Sequence, residues 1–261
     1  MSSPLRAEDV VAGYGNRDVL HGITLDVPAG QVTTVIGPNG CGKSTLLRTL
    51  AGLLRPRHGR VLLHGTSLAS VKPRQVARTM AVLPQSPVAP EGMTVGDLVA
   101  RGRQPYQPWY RQWSAEDEQI VSDAMTSTGV DDLAERSLDE LSGGQRQRAW
   151  IAMTLAQGTD LLLLDEPTTH LDLAHAVEVM DLVVRLRRDT GRTVVVVLHD
   201  LNLAARYSDH LVVMDGGHVV AEGQPADVVE PALLAKVFGL SAHVFPDPFD
   251  RLPTVVPTLH G

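Results

Sequence analysis

The sequence predicts an α/β fold: a core with a mostly parallel sheet, an N-terminal antiparallel β region and an inserted α-helical region. Three observations predict it. Four apolar runs, at 32–36, 80–83, 161–164 and 194–198, show little alternation and are each followed at once by polar or glycine-rich residues. Unalternating runs of this length fit strands covered on both faces, as in a parallel sheet. The opening stretch 5–27 instead has short apolar groups broken by Gly13, Gly15 and Gly22, which reads as antiparallel strands and turns. The middle of the chain, from about Pro87 to Gln157, is helical in character.

Each element follows from local chemistry. Residues 61–63 before His64-Gly65, and 211–214 with 219–220 around Gly216-Gly217, have the same character as the opening strands, and the second pair resembles a hairpin. Thr94 is placed to cap a helix reaching Arg101. Pro105, Pro108, Trp109, Tyr110 and Trp113 make a loop rich in proline and aromatics. Ser114 with Asp117 is a capping-box start for a helix over 115–128 that stops at Gly129. Ser142 is a natural N-cap for a helix to about Gln157, with Gly158 as its stop. The tail after Leu240 carries Pro246, Pro248, Pro253 and Pro257 and is expected to run extended over the surface.

Composition limits the function classes. The 261 residues suit one large α/β domain or one domain with an insertion, and 43% apolar content supports a full core. A net charge of −7 argues against a generic nucleic-acid binder, which would show a basic face. Cys41 is the single cysteine, so no intrachain disulfide forms, as expected in a reducing compartment. Glu8 and Asp9 interrupt the start where a signal peptide would be apolar, and the longest apolar runs are strand-sized. The expectation is a soluble chain that meets a membrane only through partners.

The residues that carry chemistry sit at the ends of the unalternating runs, where parallel sheets bind ligands. Gly37-Pro38-Asn39-Gly40-Cys41-Gly42-Lys43-Ser44-Thr45 matches the phosphate-binding loop, between a strand and a helical pattern at Leu46, Leu47 and Leu50. Its glycines let backbone N–H groups close around phosphate oxygens, and the following helix adds its positive end. Lys43 is then the partner of the β- and γ-phosphates, and Ser44 a ligand of Mg²⁺. The run 161–164 delivers Asp165-Glu166. A carboxylate at the end of a buried strand is the expected Mg²⁺ partner, and Glu166 beside it can polarise an attacking water. Leu141-Ser142-Gly143-Gly144-Gln145 opens a helix. On local grounds two readings stand side by side: a cap and turn, or an anion site at a glycine-rich helix start.

The order of phosphate-binding loop, Gln85, Leu141 to Gln145, 161–166, Leu171-Asp172 and His199 resembles the ATP-binding cassette (ABC) family over nearly the whole chain, and the five residues from Leu141 are specific to that family. The resemblance implies one nucleotide-binding domain on a P-loop NTPase core. Residues 1–86 and 158–240 would form the catalytic core with its antiparallel β region, 87–157 the helical subdomain, and 241–261 a C-terminal tail. It also implies a head-to-tail homodimer, with each ATP between Lys43 of one subunit and Ser142 of the other. Tyr14 would stack on adenine, and Gln85 would touch Mg²⁺ or water and hinge the helical region. Asp172 would contact the opposite subunit, although an acid after Leu171 also suits a helix cap. His199 would contact the γ-phosphate and Glu166. The other histidines, including His64, His170 and His175, show no metal-ligand pattern, and Cys41 is read as incidental.

Several stretches are similar to ATPases of bacterial importers for iron–siderophore, haem and vitamin B12: residues 74–85, 99–107, 113–117, 166–173 and 198–207. Tyr106 departs from the histidine common in that group. The resemblance implies multi-span membrane permease subunits, an indirect link to a substrate-binding protein, no nucleic acid, and a place on the cytoplasmic face of the cell membrane. The aromatic loop 106–113 is a candidate part of the permease-facing surface. The alternative reading is a soluble ABC ATPase of iron–sulfur cluster assembly.

Overall fold

The structure is a computed structural model that describes residues 3–107 and 113–258. It folds as two compact units. One draws on both ends of the chain, up to Ser70 and from Thr193 onward, and the other is Val71–Arg192.

The first unit opens with the antiparallel pair Leu5–Tyr14 and Arg17–Val27, joined on its other edge by His58–Leu63. Leu5, Ala7, Val10 and Ala12 are fully buried, and the skip from Ala7 to Val10 marks a bulge. Asp9 sits there at φ 47, with Gly59 packed so closely that a Cβ would lie 2.1 Å from the Asp9 carbonyl. The bulge keeps one face apolar through the slip. A second sheet places Val32–Ile36 between two parallel neighbours, Thr193–Val197 and His210–Asp215. All five residues of Val32–Ile36 and all five of Thr193–Val197 are buried, which is why neither run alternates.

Two expectations change in detail. The hairpin around Gly216-Gly217 forms, as His210–Asp215 against His218–Gly223. Its first strand, however, belongs to the parallel sheet beside Val32–Ile36 rather than to the antiparallel region. Leu211 to Met214 are fully buried, so that strand needs cover on both faces. The proline-rich tail does not simply run along the surface: Ala242–Pro246 and Pro253–Pro257 pair as an antiparallel hairpin. Its prolines occupy strand ends, where a missing N–H costs no ladder bond.

The second unit combines the parallel strands Met80–Leu83 and Leu161–Asp165 with the helices Val95–Ala100, Ala115–Thr128, Gly143–Ala156 and Leu173–Thr190. Thr94 caps the first through Asp97, and Ser114 forms a reciprocal capping box with Asp117 at the second, which ends on left-handed Gly129. Pro105 lies in the short 3-10 helix Arg101–Tyr106 and Trp113 is exposed, while Pro108 to Tyr110 lie outside the described residues.

Asp117 does more than cap. Fully buried, it accepts a 2.9 Å hydrogen bond from Arg103 Nε, and Arg103 also donates to the Ala156 carbonyl at 3.0 Å. Burial pushes the Asp117 pKa up, but hydrogen bonds from Ser114 and Arg103 outweigh it and hold the carboxyl below the usual range. The Tyr106 ring lies 4.1 Å from the Arg103 guanidinium carbon. Removing one member of a buried pair strands the other, so Asp117→Ala is expected to cost about 3–5 kcal/mol in denaturant unfolding. Because the folded pKa is depressed, the stability Asp117 adds is present above its unfolded pKa and is lost as pH falls through the folded value. The wild-type midpoint in acid should therefore move toward that of Asp117→Ala.

Candidate active site

Within the first unit, the loop from Gly37 to Gly42 leaves the end of Val32–Ile36 and turns into the helix Lys43–Leu50. Close approach dictates its glycines. A Cβ on Gly37 would lie 2.2 Å from the Met214 carbonyl oxygen and 2.7 Å from Cys41 Sγ. Gly42 caps the helix at φ 107, a left-handed conformation costly for any other residue, and its Cβ would meet Leu20 Cδ2 at 3.0 Å. The result is a bare backbone cradle at a helix N-terminus, which fits a phosphate chain. Lys43 is only 5% exposed and donates from Nζ to the Gly37 and Pro38 carbonyls at 2.9 and 3.0 Å. Its charge is held over the cradle with no carboxylate among these partners.

Cys41 is buried, and burial pushes its thiol pKa up against the opposing pull of Lys43. The thiol is held in its less reactive protonated form. Beside the loop, Tyr14 and Gly40 line a cleft of about 530 Å³, together with Asp18, His21 and Gly217. Tyr14 is half-exposed, and its hydroxyl accepts from Arg48 at 3.2 Å. His199 follows Leu198 at the end of Thr193–Val197 and precedes Asp200, the N-cap of the helix Leu201–Tyr207.

The second unit gathers the acids. Asp165 is buried at the last position of Leu161–Asp165, and Glu166 follows at φ 52 with 8% exposure. A non-glycine residue in that region carries roughly 1 kcal/mol of strain. Its carboxylate is gripped: Oε2 accepts from Gln85 Nε2 at 2.5 Å and from Thr169 Oγ1 at 3.1 Å. Thr169 N–H also donates to the Glu166 carbonyl at 3.2 Å, which closes the turn. Thr169 was not singled out from the sequence; its signal was a hydroxyl three residues past the acid, within reach of a turn.

Ser142 is the N-cap of Gly143–Ala156 and shares a capping box with Gln145, with bonds of 3.3 and 3.1 Å. Ser142 and Gly143 are exposed, and a Cβ on Gly144 would lie 2.5 Å from His175 Cδ2. The cap reading of this motif is therefore realised, while its outer face stays open. Asp172 likewise caps Leu173–Thr190, accepting from His175 N at 2.9 Å and contacting His175 Nδ1 at 2.7 Å. Those bonds, the backbone one foremost, lower its pKa. Among the described residues, no group of His, Cys, Asp and Glu is arranged to hold a metal by itself, and no helix is long and apolar enough to cross a membrane.

Residues 20–169 match the family model described as ABC transporter. The chain belongs to the ABC transporter family. ATP-binding subunits of ABC transporters are ATPases coupled to transport, and the loop, cradle and acids described above belong to such a subunit. The chain is 50% identical over 259 residues, 99% of its length and 94% of the relative's, to the probable siderophore transport system ATP-binding protein YusV of Bacillus subtilis. It is 48% identical over 97% of its length, and 93% of the relative's, to the ferric enterobactin transport ATP-binding protein FepC of Escherichia coli. Its fold also matches the ATP-binding cassette MJ0796 in a dimeric post-hydrolysis state bound to ADP and Pi, with TM-score 0.73 and 25% identity over 84% of this chain and 98% of that one.

Proposed function

We propose that this ABC ATPase powers the import of an iron chelate (siderophore or haem) or of a cobalamin-type substrate through a membrane permease by ATP-driven closure of a homodimer. The observation that carries the reading is 50% identity along 99% of the chain to a siderophore-system ATP-binding protein. Kinship of that depth covers the permease-facing region as well as the nucleotide site.

The residues take distinct roles. Gly37 to Thr45 wrap the phosphates, Lys43 neutralises the β and γ groups, and Tyr14 stacks on the adenine. Ser44, Gln85 and Asp165 offer a hydroxyl, an amide and a carboxylate, the oxygen donor set that suits Mg²⁺. These three residues would hold the ion, which would supply positive charge to offset that of the phosphates. Glu166, with its carboxylate pinned by Gln85 and Thr169, orients the attacking water, and His199 steadies the γ-phosphate. Phosphoryl transfer has a loose transition state, so this positioning matters more than base strength.

Ser142 to Gln145 would complete the partner subunit's site, with Asp172 at the same interface. ATP then favours closure because the contacts to Ser142 exist only in the closed form, and loss of the γ-phosphate removes them. The second unit also has a cleft of about 480 Å³ lined by Val88, Pro105, Trp150 and Met153 together with the polar Arg101 and Gln157, a mixed apolar and polar seat for a permease segment. In this reading the subunit works on the cytoplasmic face of the membrane, linked to a substrate-binding protein only through the permease.

The test is transport. Reconstituted in liposomes with the multi-span permease and binding protein of a siderophore import system, the chain is expected to drive MgATP-dependent uptake of a labelled ferric siderophore. Brisk ATP hydrolysis by that complex without uptake of any ferric chelate, haem or cobalamin would contradict the cargo assignment.

A further inference from the structure

We infer that the C-terminal hairpin Ala242–Pro246/Pro253–Pro257 is a brace that positions His199, and that Asn202 is the positioning residue through which it acts. The inference rests on reading His199 as the γ-phosphate contact.

The helix that follows His199, Leu201–Tyr207, has only seven residues. A helix so short has no stability of its own in water, and its placement depends on what it packs against. Leu203, Ala204 and Ala205 turn into the core. Below, Leu198 N–H donates to the Val35 carbonyl at 3.2 Å, which ties the start of the segment to the central sheet. Asn202 and Arg206 stand four residues apart on a different face, and both reach the tail.

Asn202 behaves as a short extra strand. Its amide donates to the Val255 carbonyl at 3.2 Å and its carbonyl accepts from Val255 N–H at 2.7 Å, satisfying both backbone groups of one residue. Val255 is itself buried. Arg206 adds ion pairs to Asp250 at 3.3 Å and Asp247 at 3.7 Å, at the turn of the hairpin. Asp247 also organises that turn: its N–H donates to the Leu252 carbonyl at 2.8 Å and its side chain accepts from Phe249 N–H.

The dependence is mutual. A lone two-stranded hairpin is marginal in water, and here Phe245, Phe249 and Val256 face outward, so few of its side chains help to bury it. Hairpin and helix hold each other, and the residue immediately before the helix cap Asp200 is His199. Loosening the tail lets the helix start shift. A displacement of the order of 1 Å in a group that orients a reacting centre costs up to about a hundredfold in rate.

The experiment is the full-length variant Asn202→Ala with Arg206→Ala, in wild-type and His199→Ala backgrounds. The expected result is a kcat about tenfold lower with KM for ATP unchanged. Amide exchange over 242–257 should be faster, and in the His199→Ala background the pair should cause no further loss in single-turnover hydrolysis. Asn202→Asp, which keeps the acceptor for Val255 N–H, should recover part of the rate. Three results would overturn the brace: unchanged kcat with a loosened hairpin, a hairpin that stays protected, or the same loss when His199 is absent. If His199→Ala alone hydrolyses ATP at the wild-type rate, the reading of His199 itself falls. Should the double variant fail to fold, Asn202→Ala alone is judged by the same criteria.

Discussion

Lys43→Ala is expected to abolish measurable MgATP binding. The side chain is nearly fully buried, and its ammonium lies over the loop within 3.0 Å of two carbonyls. Phosphate oxygens arriving in the cradle would meet that charge where solvent screening is weak. A unit charge pair at 4 Å under an intermediate dielectric is worth about 4 kcal/mol, roughly a thousandfold in affinity. Arginine is no substitute, because a planar fork needs room that the close-packed loop lacks. Calorimetry with MgATP checks this, and an affinity within a few-fold of wild type would remove Lys43 from the phosphate site.

Glu166→Gln is expected to keep ATP affinity while lowering kcat by roughly a hundredfold to ten-thousandfold. The geometry explains why binding should survive. Glutamine retains an oxygen that can accept from Gln85 and Thr169, so the strained turn at φ 52 keeps its supports. What disappears is the negative charge that polarises and orients the attacking water. Trapped ATP should then hold the dimer closed, visible as a dimer in size-exclusion chromatography. Near-normal turnover in this variant would move the catalytic role to another residue.

Local chemistry made much of the architecture legible. The capping box of Ser114 with Asp117 and the N-cap of Ser142 each need only a few consecutive residues and both form as expected, the second with Gln145 closing a box as well. The glycine pattern of the phosphate-binding loop was equally local, since Gly42 declares a left-handed cap by its type. Contacts between distant residues were not legible. Gln85 and Glu166 are separated by 81 residues, and neither type alone announces a hydrogen bond. Asp117 could be read as a member of a capping box but not as the partner of Arg103, because its carboxylate accepts from Ser114 N–H through one oxygen and from Arg103 through the other. The tail looked merely extended because a proline-rich strand carries no pairing signal, and its partner Asn202 lies 53 residues away from Val255.

ATP-driven closure requires two copies to face each other, and cross-linking reads that directly. Asn39 is exposed on the phosphate loop, and Gly143 has room for a Cβ, its nearest neighbour being Leu171 Cδ2 at 3.5 Å. In a Glu166→Gln, Cys41→Ser background, the pair Asn39→Cys and Gly143→Cys is expected to form a disulfide between subunits with MgATP and none without nucleotide. A nucleotide-saturated, assembled transporter in which those thiols never cross-link would contradict the shared site and the closure it drives.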